Sequence, residues 1–128
     1  VKKVSFWHPN KMPLTLIGAD DTQKQVTGTA ETEVKYLRFS QPSANAYRML
    51  KVNLSLWVSG GTGYAYIYIN DEATPRITLQ TTSTSEEVLS GECSISDLPA
   101  GVHIIKLKIK NSDAGQTTYT ELLEVYAS

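Results

Sequence analysis

Few residues of this chain are equipped for covalent or acid–base chemistry. The two histidines, His8 and His103, stand in no metal spacing such as His-x-His or His-Glu-x-x-His. His103 falls on the inward face of a strand near its start, which predicts a hydrogen-bonded structural histidine rather than a general base. The single cysteine, Cys93, lies on an apolar strand face, where a buried thiol is inert. Asp20-Asp21, Asp71-Glu72 and Glu86-Glu87 are adjacent carboxylates in predicted loops. Neighbouring side chains on an extended chain point apart, so none forms an acid/base couple, and each offers at most part of a loop calcium site. Ser59-Gly60-Gly61-Thr62-Gly63 matches a phosphate loop only in composition. A strand follows it in place of the helix whose N-terminus would face the anion. Asn53-Leu54-Ser55 spells an N-glycosylation sequon but sits inside a strand and is read as coincidence. The expectation is a non-enzyme with no catalytic residues, no metal site and no cofactor.

The residue types that do suggest function are aromatic. Leu50, Val52, Leu54, Leu56 and Val58 alternate with Lys51, Asn53, Ser55 and Trp57, the period of a half-buried strand. After the glycine-rich turn, Ala65, Ile67 and Ile69 alternate with Tyr64, Tyr66 and Tyr68. Pairing the two strands as a hairpin, with Leu56 opposite Ala65, Leu54 opposite Ile67 and Val52 opposite Ile69, matches aliphatic face to aliphatic face. The opposite face then gathers Trp57, Tyr64, Tyr66 and Tyr68 beside Asn53, Ser55 and Lys51. Three things can cover such a patch. The N-terminal segment carries Phe6, Trp7 and Tyr36 in need of partners; a second subunit favours Tyr and Trp at its contacts; a sugar ring stacks on an exposed aromatic.

The elements that must position this surface are strands nearly throughout. Arg76–Gln80 carries Ile77 and Leu79. Val88–Ile95 carries Leu89, Cys93 and Ile95, with Gly91 suggesting a bulge. Val102–Lys110 sets His103, Ile105, Leu107 and Ile109 against Lys106, Lys108 and Lys110. Thr118–Tyr126 carries Leu123 and Val125. Asp97–Gly101 and Asn111–Gly115 are turns, and the Thr/Ser run at 81–85 is a loop-sized polar stretch. Ser43–Leu50 holds fair helix formers but is too short for a helix. The first forty residues are less regular. Val4 with Phe6, Leu14 with Leu16, and Val26 mark short strands, and Glu33–Phe39 changes parity, which predicts a bulge near Tyr36 or Leu37 or a strand that passes from one sheet to the other. About eight strands are expected in one all-β domain over residues 1–128, with the core strands in 50–128. The fold class is an antiparallel two-sheet β-sandwich, jelly-roll-like or alternatively Ig-like.

The totals agree. A chain of 128 residues is long enough for one self-sufficient core. Twelve basic and thirteen acidic residues leave a net charge of −1, so no global field draws it to nucleic acid or an anionic membrane. No apolar run is long enough for membrane insertion, and no signal-peptide pattern opens the chain. One cysteine supports no intrachain disulfide, which leaves the compartment open.

Three stretches carry a resemblance. Gly61–Asn70 (GTGYAYIYIN), Thr81–Thr84 and Ser96–Leu107 (SDLPAGVHIIKL) resemble β-sandwich modules of phage and archaeal-virus structural proteins. The Leu-Pro-Ala-Gly-x-His strand entry is also similar to galactose-binding-like jelly rolls, among them carbohydrate-binding modules. Both resemblances cover about the last 80 residues and imply a sandwich, not named site residues. The viral resemblance implies a non-enzymatic structural or attachment module, a homo-oligomer acting through protein–protein contacts on a virion or extracellular surface. The alternative is a carbohydrate-binding module using Trp57, Tyr64, Tyr66 and Tyr68. Such modules present aromatics at a cleft or on loops rather than along a hairpin, so the assembly reading leads.

Overall fold

The computed structural model describes residues 13–128. The expected strand at Val4 and Phe6, together with Trp7 and His8, lies outside them. Ten strands follow in order: β1 (Thr15–Asp20), β2 (Lys24–Thr27), β3 (Thr32–Gln41), β4 (Met49–Val58), β5 (Gly63–Ile69), β6 (Ile77–Thr81), β7 (Glu87–Ser94), β8 (Gly101–Asn111), β9 (Thr117–Thr120) and β10 (Leu123–Ala127). They form two antiparallel sheets in a jelly-roll-like sandwich. In sheet I, β4 is flanked on one side by β7 and on the other by β10 and β9 lying end to end; β1 and β2 pair with those two in turn. Sheet II has the order β3-β8-β5-β6.

The expected hairpin between β4 and β5 does not form. The glycine turn carries the chain from sheet I to sheet II, where β5 pairs with β6 and β8 instead. The two aliphatic faces still meet, but across the sandwich. Leu50, Val52, Leu54 and Leu56 look onto Ala65, Ile67 and Ile69, joined by Ile105, Leu107 and Ile109, all at most 1% exposed. Each large aliphatic chain so buried contributes about 1.5–3 kcal/mol. The crossing is tight at Gly63, where an added Cβ would lie 2.6 Å from Val58 Cγ1. Gly61 holds φ at +68°, and Asn111 ties the turn down by donating from Nδ2 to Gly60 O at 3.0 Å.

Three further expectations are corrected. The parity change in β3 arises from a register shift between Glu33 and Lys35, not at Tyr36 or Leu37. Lys35, Leu37 and Phe39 therefore share the inward face, and the side chain of Lys35 is fully buried. Gly91 makes no bulge: β7 runs in unbroken register along β4. The glycine is there because a Cβ would meet Ile77 Cγ2 at 2.6 Å. Thr118–Tyr126 is two strands, not one. The break at Glu121-Leu122 is closed by buried Ser55, whose hydroxyl accepts from both backbone N–H groups at 3.0 and 2.8 Å. Ser43–Leu50 forms a turn entering β4, with no helix.

Lys35 spans the same break from the other sheet. Its ammonium donates to Asp20 O (3.0 Å), Asp20 Oδ1 (3.2 Å) and Glu121 O. Hydrogen bonding by the Thr22 backbone and by Lys35 holds the Asp20 carboxyl below its ordinary value.

Candidate functional site

Separating β4 from β5 divides the predicted aromatic patch. Trp57 and Asn53 lie on the outer face of sheet I, whereas Tyr64, Tyr66 and Tyr68 lie on the outer face of sheet II. Trp57 stacks on Tyr119 of β9, centroids 5.3 Å apart and planes at 13°. Asn53 accepts from Ser90 at 2.6 Å and reaches Glu124 at 3.4 Å, so its amide is occupied within the sheet. The five residues do not make one site.

The tyrosines do form a unit, with a component not grouped with them from sequence. Lys106, Lys108 and Lys110 point outward from β8 beside them. Rows across the sheet read Gln80–Tyr64–Lys110 and Thr78–Tyr66–Lys108, followed by the pair Tyr68–Lys106. Tyr64 and Tyr66 stack at 6.3 Å, and Lys110 Nζ lies 5.6 and 5.7 Å from their centroids. Lys108 Nζ sits 4.6 Å from the Tyr68 centroid. Such cation–π contacts hold the lysine stems along the rings. The ladder is not uniform. At its Tyr68 end the phenol donates to Glu31 at 2.5 Å, which, with burial, pushes its pKa up to about 12. Lys106 is paired there with Asp71 at 3.1 Å. Lys110, over Tyr64 and Tyr66, and Lys108, over Tyr68, make no ion pair with a carboxylate among the described residues.

The Tyr64 end runs into an open pocket of about 340 Å³ lined by Gln80, Thr81, Thr82, Ser83 and Glu87. Every lining side chain is a hydrogen-bonding group. Thr81 Oγ1 donates to Glu87 and accepts from Ser83 N, and Ser83 O accepts from Val58 N at 2.9 Å, which anchors the loop to both sheets. Thr81, Thr82 and Ser83 of the polar run at 81–85 are thus a pocket wall beside an aromatic row. Its composition was visible in the sequence, but its neighbour was not. A second pocket of about 350 Å³, at the opposite end of β4, is lined by Asn45, Ala46, Arg48, Met49 and Ser128 and includes no aromatic ring.

The other candidates are engaged in local contacts or carry no cluster. His103 is buried, its Nε2 donating to Pro99 O at 2.8 Å and its Nδ1 accepting from Asn70 at 3.0 Å. Burial pushes the thiol of half-buried Cys93 up. Among the described residues no three His, Cys, Asp or Glu side chains gather as metal ligands. Of the adjacent carboxylates, Glu72 joins a cluster in which Arg76 bonds both of its oxygens, both oxygens of Asp97, and Ser94 O. Bonding to Arg76 holds Glu72 and Asp97 below their ordinary values of 4.5 and 3.8. Depressed folded-state values mean the unfolded chain binds more protons, so this stabilisation is present above the unfolded values and lost as pH falls through the folded ones. Urea unfolding of Arg76→Met is expected to lose less stability than the wild type between about pH 5 and pH 2. Parallel acid profiles would show that the cluster does not hold the native state.

No family model matches the chain, and no curated protein does. Solved structures match in fold. A carbohydrate-binding module CBM36 in complex with calcium and xylotriose superposes with a TM-score of 0.51 at 16% identity, over 89% of this chain and 99% of that one. The CBM36-1 domain of a multidomain xylanase from the hindgut metagenome of Trinervitermes trinervoides gives 0.56 at 9% identity, over 88% and 96%. A structure of the Gx strain of infectious bursal disease virus gives 0.53 at 17% identity over 91% of this chain, which spans only 31% of the viral one. Both resemblances drawn from the sequence, viral structural modules and carbohydrate-binding jelly rolls, are therefore among the structural neighbours. What they share with this chain is the β-sandwich module.

Proposed function

We propose that this domain is a non-enzymatic attachment module that binds a glycan at the edge of sheet II, with Tyr64 and Tyr66 as the aromatic wall and the 80–83 loop with Glu87 as the polar one. The observation that carries this reading is the pairing of Tyr64 with Gln80, a residue that itself lines a pocket of hydrogen-bonding side chains. Sugars require that combination: hydroxyls need donors and acceptors, and the C–H faces of the ring need an aromatic surface. The likeness over nearly the whole length of two carbohydrate-binding modules supports the reading, since the viral likeness covers a minor part of a larger chain. A glycan array probed with the wild-type domain and with Tyr64→Ala is the test. Retained binding by the variant would place the site elsewhere.

A second reading is assembly, and sheet I favours it. Leu16 (55% exposed) and Val88 (60% exposed) stand out from the sheet that carries the Trp57–Tyr119 stack. A second copy of this chain would cover that surface. Light scattering behind size-exclusion chromatography should then give a dimer or larger species that Leu16→Glu dissociates. A monomer at high concentration would remove this reading and leave the glycan site untouched.

A further inference from the structure

Resting on the glycan reading, we infer that the ligand of the sheet II edge is an acidic polysaccharide of the uronate class, its carboxylates held by Lys108 and Lys110. The tyrosine–lysine ladder is asymmetric. Its far half is already neutralised: Glu31 accepts from Tyr68 and Asp71 pairs with Lys106. The half that adjoins the pocket is not. Lys110 shares a row with Tyr64 and Gln80; Lys108 shares the next with Tyr66 and Thr78, although its ammonium lies over Tyr68 and must swing toward Tyr66 to meet the ligand. Glu33 is the cross-strand neighbour of Lys108 but makes no ion pair with it among the described residues. Glu87 belongs to β7, accepts from Thr81 in the pocket and makes no ion pair with either lysine among the described residues.

A sugar ring against Tyr64, with its hydroxyls in the pocket, therefore has beside it two ammoniums that make no ion pair among the described residues. The two lysines are two residues apart on one strand, so their Cα atoms lie about 7 Å from each other. Ammoniums are point charges, and this half of the ladder holds no guanidinium fork of the kind that grips sulfate or phosphate in pairs. One carboxylate per ring suits that supply; a densely sulfated chain or a nucleic acid does not. The ring contacts already made by Lys110 keep its stem in place, so less side-chain entropy is lost on binding.

Calorimetric titration of the intact domain with polygalacturonate oligosaccharides and with neutral galactan oligosaccharides of the same length tests this. The acidic chain is expected to bind about tenfold more tightly at low salt, with the advantage shrinking as sodium chloride rises. Lys108→Gln and Lys110→Gln should each lower affinity for the acidic chain about three- to tenfold while leaving neutral binding unchanged. Equal affinity for the two glycans overturns the inference and leaves the glycan reading standing. Binding confined to dextran sulfate, a sulfated glucan that carries no uronate, does the same, whereas binding confined to single-stranded DNA overturns both readings. Binding to no glycan of either kind, by a domain that unfolds cooperatively, overturns both.

Discussion

Replacing Lys35 with Met should lower stability by about 3 kcal/mol and the midpoint of thermal unfolding by roughly 10 °C. Methionine keeps the length and much of the volume of the stem, so the change isolates the ammonium. That group is fully buried and serves three acceptors, two of them backbone carbonyls at the ends of strands. Asp20 closes β1, and Glu121 lies in the break between β9 and β10, so one ammonium from sheet II holds both discontinuities of sheet I. Without it the two carbonyls lose their donor, and unmatched buried acceptors cost more than a hydrogen bond contributes when made. Asp20→Asn should cost less, because the carboxylate is a third exposed and only one of the three acceptors. Urea and thermal denaturation of both variants measure this. An unchanged midpoint in Lys35→Met would mean that the sheet I break is held by Ser55 alone.

The second large effect is expected in binding. Tyr64→Ala should weaken glycan affinity at least about tenfold while leaving the unfolding midpoint close to the wild type. Tyr64 is half-buried on an outer face, outside the aliphatic core, so its loss opens no cavity between the sheets. It also occupies the one row that joins the aromatic ladder to the pocket, between Gln80 and Lys110. Tyr68→Phe makes the contrast. It removes a hydroxyl already committed to Glu31 and should leave binding unchanged.

Alternation of apolar residues identified the strands of the core and the face each one buries. It did not identify who lies beside whom. The aliphatic faces of β4 and β5 complement each other equally well as hairpin neighbours or as opposing layers, since both arrangements bury the same side chains. Gly63, pressed between Val58 and Thr118, belongs to the second arrangement, and no local pattern distinguishes it from a hairpin glycine. Assigning Trp57 and the tyrosines to one surface followed from the hairpin and failed with it. Lys35 was unreadable for a related reason: a bulge two residues earlier than expected turns a charged residue inward, and only the tertiary break supplies its acceptors. Gln80 and the 81–85 loop gained meaning from a neighbour, Tyr64, that sequence distance hides. His103, by contrast, was legible, because an isolated polar residue on an inward face near a turn needs local partners.

The most direct test of the glycan site is a titration of the isotopically labelled domain with polygalacturonate oligosaccharides, followed by amide chemical shifts. Saturable shifts should concentrate at Tyr64, Gln80, Thr81, Thr82, Ser83 and Lys110, the residues of one pocket and one row. Shifts centred instead on Leu16, Lys51 and Tyr126 of sheet I, or none at any concentration, would contradict it.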